Sequence, residues 1–97
     1  MNKGIERILV ADDDAVIREG LRRILAAEGY EVEVVSNGRA ALDRLDEENF
    51  KLLITDLKMP GMSGLEVLQA IRVCQPELPV VLITGYAAID NAVEAMK

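Results

Sequence analysis

LLITDLKMPGMSG, Leu52–Gly64, is the stretch on which the reading of this chain turns. The apolar run KLLIT, Lys51–Thr55, predicts a strand buried on both faces. It runs out into an aspartate, Asp56, and a Met-Pro-Gly turn at Met59–Gly61 leads into helical spacing beyond. Strand, acid, turn and helix in that order describe a strand–helix unit with a carboxylate at the strand's exit.

The same order recurs on either side. RILVA, Arg7–Ala11, is a short apolar run that also ends in acids, Asp12, Asp13 and Asp14. AVIREGLRRILAAEG follows, with Ile17, Leu21, Ile24 and Leu25 on one helical face and Arg18, Arg22 and Arg23 on a solvated one. Gly29 marks a left-handed helix stop. EVEVVS, Glu31–Ser36, alternates partly, as an edge or one-sided strand does. Asn37 and Gly38 signal a turn, and RAALDRLDEEN has helical rather than strand spacing. Beyond Pro60 and Gly61, GLEVLQAIRVCQ predicts a helix with Leu65, Leu68 and Ile71 inward, ended by Pro76. PVVLIT, Pro79–Thr84, is a fourth strand and also fully apolar. AAIDNAVEAMK then opens a fourth helix with Ile89, Val93 and Met96 on one stripe.

Alternating strands and helices predict an α/β fold, a doubly wound parallel sheet with right-handed crossovers. Ligands of such sheets sit beyond the carboxyl ends of the strands. Asp12 and Asp13 follow the first strand, Asp56 the third, and Thr84 closes the fourth. If the first and third strands are neighbours, these four side chains crowd one edge.

Composition narrows the function. Ninety-seven residues, 51% hydrophobic and 29% charged, predict one globular domain spanning residues 1–97 with an aliphatic core. A net charge of −6 argues against direct nucleic-acid binding by this segment, which needs a basic footprint. A single cysteine, Cys74, forms no intrachain disulfide and fits a reducing cytoplasm. No run approaches the ~18 apolar residues of a membrane span, and no signal peptide opens the chain. A soluble, cytoplasmic protein is expected.

Three converging carboxylates repel one another. At an effective dielectric near 20, two unit charges ~4 Å apart cost about 4 kcal/mol. A divalent ion relieves the conflict, and oxygen ligands in a chain with no histidine favour Mg²⁺ or Mn²⁺ over zinc. Asp56, projecting from a rigid strand end, suits a nucleophile that attacks phosphorus to form an acyl phosphate. Asp12 and Asp13 suit metal holding, directly or through water, and Thr84 could hydrogen-bond a phosphoryl oxygen. Taken singly, the ADDD run reads equally well as a helix N-terminus, and an aspartate at a strand end such as Asp56 is more often a turn or cap residue than a nucleophile. For Asp14 the helix cap is the preferred reading. Met59 and Met62 read as gap-fillers. It is the joint placement at the strand ends that favours chemistry.

With these residues in view, ILVADDDAVIREGLRRIL, LLITDLKMPGMSGLEVL and LPVVLITGYAAIDNAVEAMK resemble the receiver domain of two-component response regulators. The receivers of nitrogen-regulation-type, enhancer-binding transcription activators are the nearest in character. The resemblance implies a flavodoxin-like sheet of strand order 2-1-3-4. It implies that Asp56 is the phosphoacceptor, loaded from the phosphohistidine of a sensor histidine kinase. Asp12 and Asp13 would form the Mg²⁺ pocket with Asp56 and the main-chain carbonyl of Lys58. Thr84 would be the switch hydroxyl, and Pro60 and Gly61 would shape the loop beneath the site. The domain would be a phosphoacceptor switch rather than a turnover enzyme, controlling transcription through an output domain.

Family members continue past VEAMK with a fifth strand and helix that bear an aromatic switch residue and a phosphoryl-binding lysine. Neither Lys58 nor Lys97 stands at that lysine's place. A C-terminally incomplete domain is therefore expected, with weakened transfer and switching and a homodimer through the exposed fourth strand or fourth helix. Two alternatives stand beside it. One is a phosphorylation-incompetent fragment acting only as an interaction module. The other is a haloacid-dehalogenase-type phosphatase fragment with Asp12 as nucleophile and Asp14 as acid/base, which leaves Asp56 without a task. An FMN-binding flavodoxin is rejected, because three aspartates after the first strand would repel its phosphate.

Overall fold

A computed structural model describes residues 6–83, so Thr84, Lys97 and the fourth helix expected around Ile89, Val93 and Met96 lie outside the described residues. Four parallel strands, β1 (Arg7–Ala11), β2 (Glu31–Val35), β3 (Leu52–Asp56) and β4 (Val80–Ile83), form a sheet of order β2-β1-β3-β4. They are linked by helices α1 (Ala15–Ala27), α2 (Gly38–Glu47) and α3 (Gly64–Cys74). The doubly wound α/β reading and the 2-1-3-4 order hold, and β2 takes the edge position its partial alternation predicts.

The two-residue period of the strands sorts the core into two layers. Leu9 and Ala11 of β1 and Leu53 of β3 join Ala41, Leu45, Val67 and Ile71 of α2 and α3. Ile8 and Val10 of β1 and Ile54 of β3 face the other way, where Leu21 and Leu25 of α1 cover them. Thr55, fully buried, satisfies its hydroxyl by donating to the Asp56 carbonyl at 3.1 Å. Among the described residues no buried side-chain polar atom lacks a partner.

The helix boundaries follow from local chemistry. Asp14 caps α1, its carboxylate accepting from the Val16 amide at 2.8 Å and the Ile17 amide at 3.4 Å, which is the role its position predicts. Gly29 ends that helix at φ 100°, a conformation that costs a side chain dearly. Asn37 is a cap rather than a turn residue: its side chain accepts from Ala40 at 2.7 Å and Gly38 already begins α2. Ser63 and Glu66 start α3 with a reciprocal capping box at its N-terminus.

Three further readings of the sequence are corrected. Asp56 is the last residue of β3, not the first after it, because its Cα still pairs with Ile83 of β4. Leu65 faces outward at 47% exposed, and Gly64, Val67 and Ile71 form the buried stripe of α3. The helix is rotated because Gly64 seats directly on the Asp56–Leu57 backbone. Ile17 and Ile24 are likewise exposed, so α1 rests on the sheet through Leu21 and Leu25 alone of the expected four.

Candidate functional site

Register explains how two distant acids meet. Ile8 pairs with Leu52 and Ala11 with Thr55, so one further step along the parallel strands sets Asp12 beside Asp56. Parity does the rest: Ile8 and Val10 precede Asp12 on the α1 side of the sheet, as Ile54 precedes Asp56. Both carboxylates therefore leave the same face at the same edge. Asp13, exposed in the loop between β1 and α1, joins them, and one carboxylate oxygen from each of Asp12, Asp13 and Asp56 lies within 4.8 Å of the others.

Each acid is held differently. Asp12 is 1% exposed, and its backbone N–H donates to the Val35 carbonyl at 3.1 Å. Its carboxylate accepts from the Asp14 amide at 2.8 Å, and its own carbonyl accepts from the Arg18 guanidinium at 2.8 Å. Asp56 is half-buried and accepts from the Lys58 amide at 3.3 Å. On its far side the Leu57 amide donates to the Ile83 carbonyl at 2.7 Å, tying the exit of β3 to β4.

Crowding shows in the acidities. Burial, reinforced by the neighbouring charges of Asp56, Asp13 and Asp14, raises the Asp12 carboxyl above the usual aspartate value, against the opposing Asp14 amide. Asp56 is raised as well, again chiefly by burial, with the Lys58 amide opposing and the charge of Asp13 adding. Three oxygen donors of like charge at a strand-end edge make a cradle for a hard divalent cation, and the donor set fits Mg²⁺ or Mn²⁺. The carboxylate of Asp14 is engaged in capping α1.

The structure thus brings Asp12, Asp13 and Asp56 together. Lys58 follows two residues after Asp56, where its main chain borders the site, while Thr84 lies outside the described residues. The spacing did not disclose Arg18. It reads as one of three arginines on a solvated helix face, yet its side chain turns back toward the helix N-terminus and reaches Asp12.

Among the described residues no helix is long and apolar enough to cross a membrane. Comparison with known proteins gives one answer. The profile of the response regulator receiver domain family matches residues 8–97. Response regulator protein FleR of Pseudomonas aeruginosa is 45% identical over 94% of this chain and 19% of its own length. Transcriptional regulatory protein ZraR of Klebsiella oxytoca is 40% identical over 93% of the chain and 20% of its own. The chain therefore spans about a fifth of these relatives. Among solved structures, response regulator protein TrrA of Thermotoga maritima in complex with Mg(2+)-BeF superposes with a TM-score of 0.84 at 40% identity, covering 94% of this chain and 79% of TrrA. TrrA in complex with the histidine kinase ThkA gives a TM-score of 0.79 at 44% identity, covering 84% of this chain and 70% of the matched one.

Proposed function

The chain belongs to the response regulator receiver domain family, and on that premise we propose that it accepts a phosphoryl group on Asp56 from a sensor histidine kinase. Carrying the reading is the convergence of the Asp12, Asp13 and Asp56 oxygens at the carboxyl edge of β1 and β3. TrrA, solved both with Mg(2+)-BeF and with a histidine kinase, supports the choice of ion and partner.

In this reading an Asp56 oxygen attacks phosphorus. The O–P bond forms as the P–N bond of the phosphohistidine breaks, and the electron pair stays on the imidazole nitrogen. The Lys58 amide, 3.3 Å from Oδ1, fixes the carboxylate's orientation and leaves its other oxygen to react. Asp12 and Asp13, with Asp56 and the main-chain carbonyl of Lys58, would hold Mg²⁺ (or Mn²⁺), which when bound offsets the charge of the phosphoryl oxygens. Thr84, the residue after Ile83, which is the β4 partner of Asp56, would supply the switch hydroxyl. The domain, residues 1–97, is a cytoplasmic signalling switch rather than a turnover enzyme, and control of transcription falls to an output domain.

Intact mass after incubation with Mg²⁺ and acetyl phosphate tests this, with Asp56→Asn alongside. One added phosphoryl group, absent from the variant and from a sample treated with a chelator, is the expected result. A folded chain that gains no mass refutes the phosphoacceptor reading and leaves an interaction module.

A further inference from the structure

Resting on the metal-site reading above, we infer that Arg18 is a positioning residue for the acidic pocket, acting through the main chain of Asp12. The guanidinium donates to the Asp12 carbonyl at 2.8 Å from the fourth residue of α1. That placement runs against local preference. The N-terminal turn of a helix favours acids and disfavours cations, and within the first turn of α1 itself, beyond the Asp14 cap, no acid stands. Helix stability therefore does not explain an arginine here.

What the arginine does is complete the fixation of Asp12. The residue's N–H, on the Ala11–Asp12 peptide plane, is bonded to Val35 of β2 and its carboxylate to the Asp14 amide, leaving the carbonyl, on the Asp12–Asp13 plane, as the remaining handle. Arg18 takes that handle, so the planes on both sides of the Asp12 Cα are held and the carboxylate keeps its aim toward Asp13 and Asp56. A charge-assisted bond to a carbonyl is about twice as strong as a neutral one, and partners that orient metal ligands typically govern affinity about 10- to 100-fold. Arg22, one turn along, makes a contrast: it is spent on Glu19, away from the pocket.

The test separates positioning from mere nearby charge, because the two predict opposite signs. Mg²⁺ affinity is measured by titration calorimetry for the wild type, Arg18→Met, Arg18→Lys and Arg22→Met, each at low and at physiological ionic strength. Positioning predicts that Arg18→Met weakens Mg²⁺ binding about tenfold at both salts. Arg18→Lys, which keeps the charge but loses the fork, recovers only part of this, and Arg22→Met binds like the wild type. A bystander cation predicts tighter binding on removal, fading with salt, and that result overturns the inference, as does no change. A metal-free readout accompanies it: solvent exchange of the Asp14 amide, bonded to the Asp12 carboxylate, speeds up in Arg18→Met and stays unchanged in Arg22→Met. A wild-type chain that takes no Mg²⁺ overturns the metal reading and this inference with it. Normal Mg²⁺ binding by a folded Arg18→Met overturns the inference alone.

Discussion

A Cβ built on Gly64 would stand 2.3 Å from the Asp56 carbonyl oxygen and 3.0 Å from the Leu57 Cα. Both are main-chain atoms and neither can swing aside, while the Gly64 amide already donates to the Leu57 carbonyl at 2.9 Å. Gly64→Ala must therefore push α3 off the exit of β3. We expect it to cost about 2–3 kcal/mol in urea unfolding and to slow phosphorylation from acetyl phosphate in the fraction that remains folded. The three acids of the site were legible in the sequence, because each ends an apolar run and strand exits are few. Arg18 was not, since helical spacing gives a side chain its angle around the axis but not its lean along it. Leu65 misled for a related reason: its spacing fits an inward stripe, but the close approach at Gly64 set the rotation of the helix.

Between β2 and α2, Arg44 donates to Glu33 through two guanidinium nitrogens, one bond being 3.0 Å, and a third bond joins it to Glu47 at 2.6 Å. The Arg44 hydrogen bonds hold the Glu33 carboxyl below the usual glutamate value of 4.5 and raise the guanidinium in turn. A depressed carboxyl stabilises the fold above its unfolded value, and that stabilisation is lost as pH falls through the lower, folded one. Because both side chains are partly solvated, the pair's contribution at neutral pH is small, and smaller still in high salt. Glu33→Gln is thus expected to lower the denaturation midpoint at pH 7 and to converge on the wild type below the folded value. Thermal melts across that acid range check it. At this scale the sequence predicted all seven described elements and misplaced several ends by a residue or two. Frayed ends depend on caps, and the Ser63–Glu66 box, though written in the chain, passed unread.

For the whole molecule, the acidic pocket opposes the fold that builds it. Asp12, Asp13 and Asp56 are assembled by core packing and strand register, neither of which concerns their charge. Removing one of them should stabilise the metal-free chain. We expect Asp56→Asn to raise its Tm by about 4–8 °C, the equivalent of about 1 kcal/mol in a domain of this size. Saturating Mg²⁺ at about 100 times its Kd should stabilise the wild type by about 2.7 kcal/mol, and the variant by clearly less. Scanning calorimetry with chelator and with Mg²⁺ gives both quantities. A larger Mg²⁺ effect in the variant than in the wild type would exclude Asp56 from the metal's surroundings. Sheet order was readable at this scale because strand–helix alternation leaves few right-handed solutions.

The pairing of β1 with β3 also has a kinetic side. These strands are neighbours in the sheet but are separated in the chain by α1, β2 and α2. Closing so long a loop is slow, and no local segment holds both Asp12 and Asp56. The pocket is therefore absent from any early, locally structured ensemble and comes into being only when that long-range register locks. If Asp56 is the phosphoacceptor proposed above, a nascent chain emerging from synthesis gains its competence only when its third strand has docked, so that competence and completion of the central sheet arrive together.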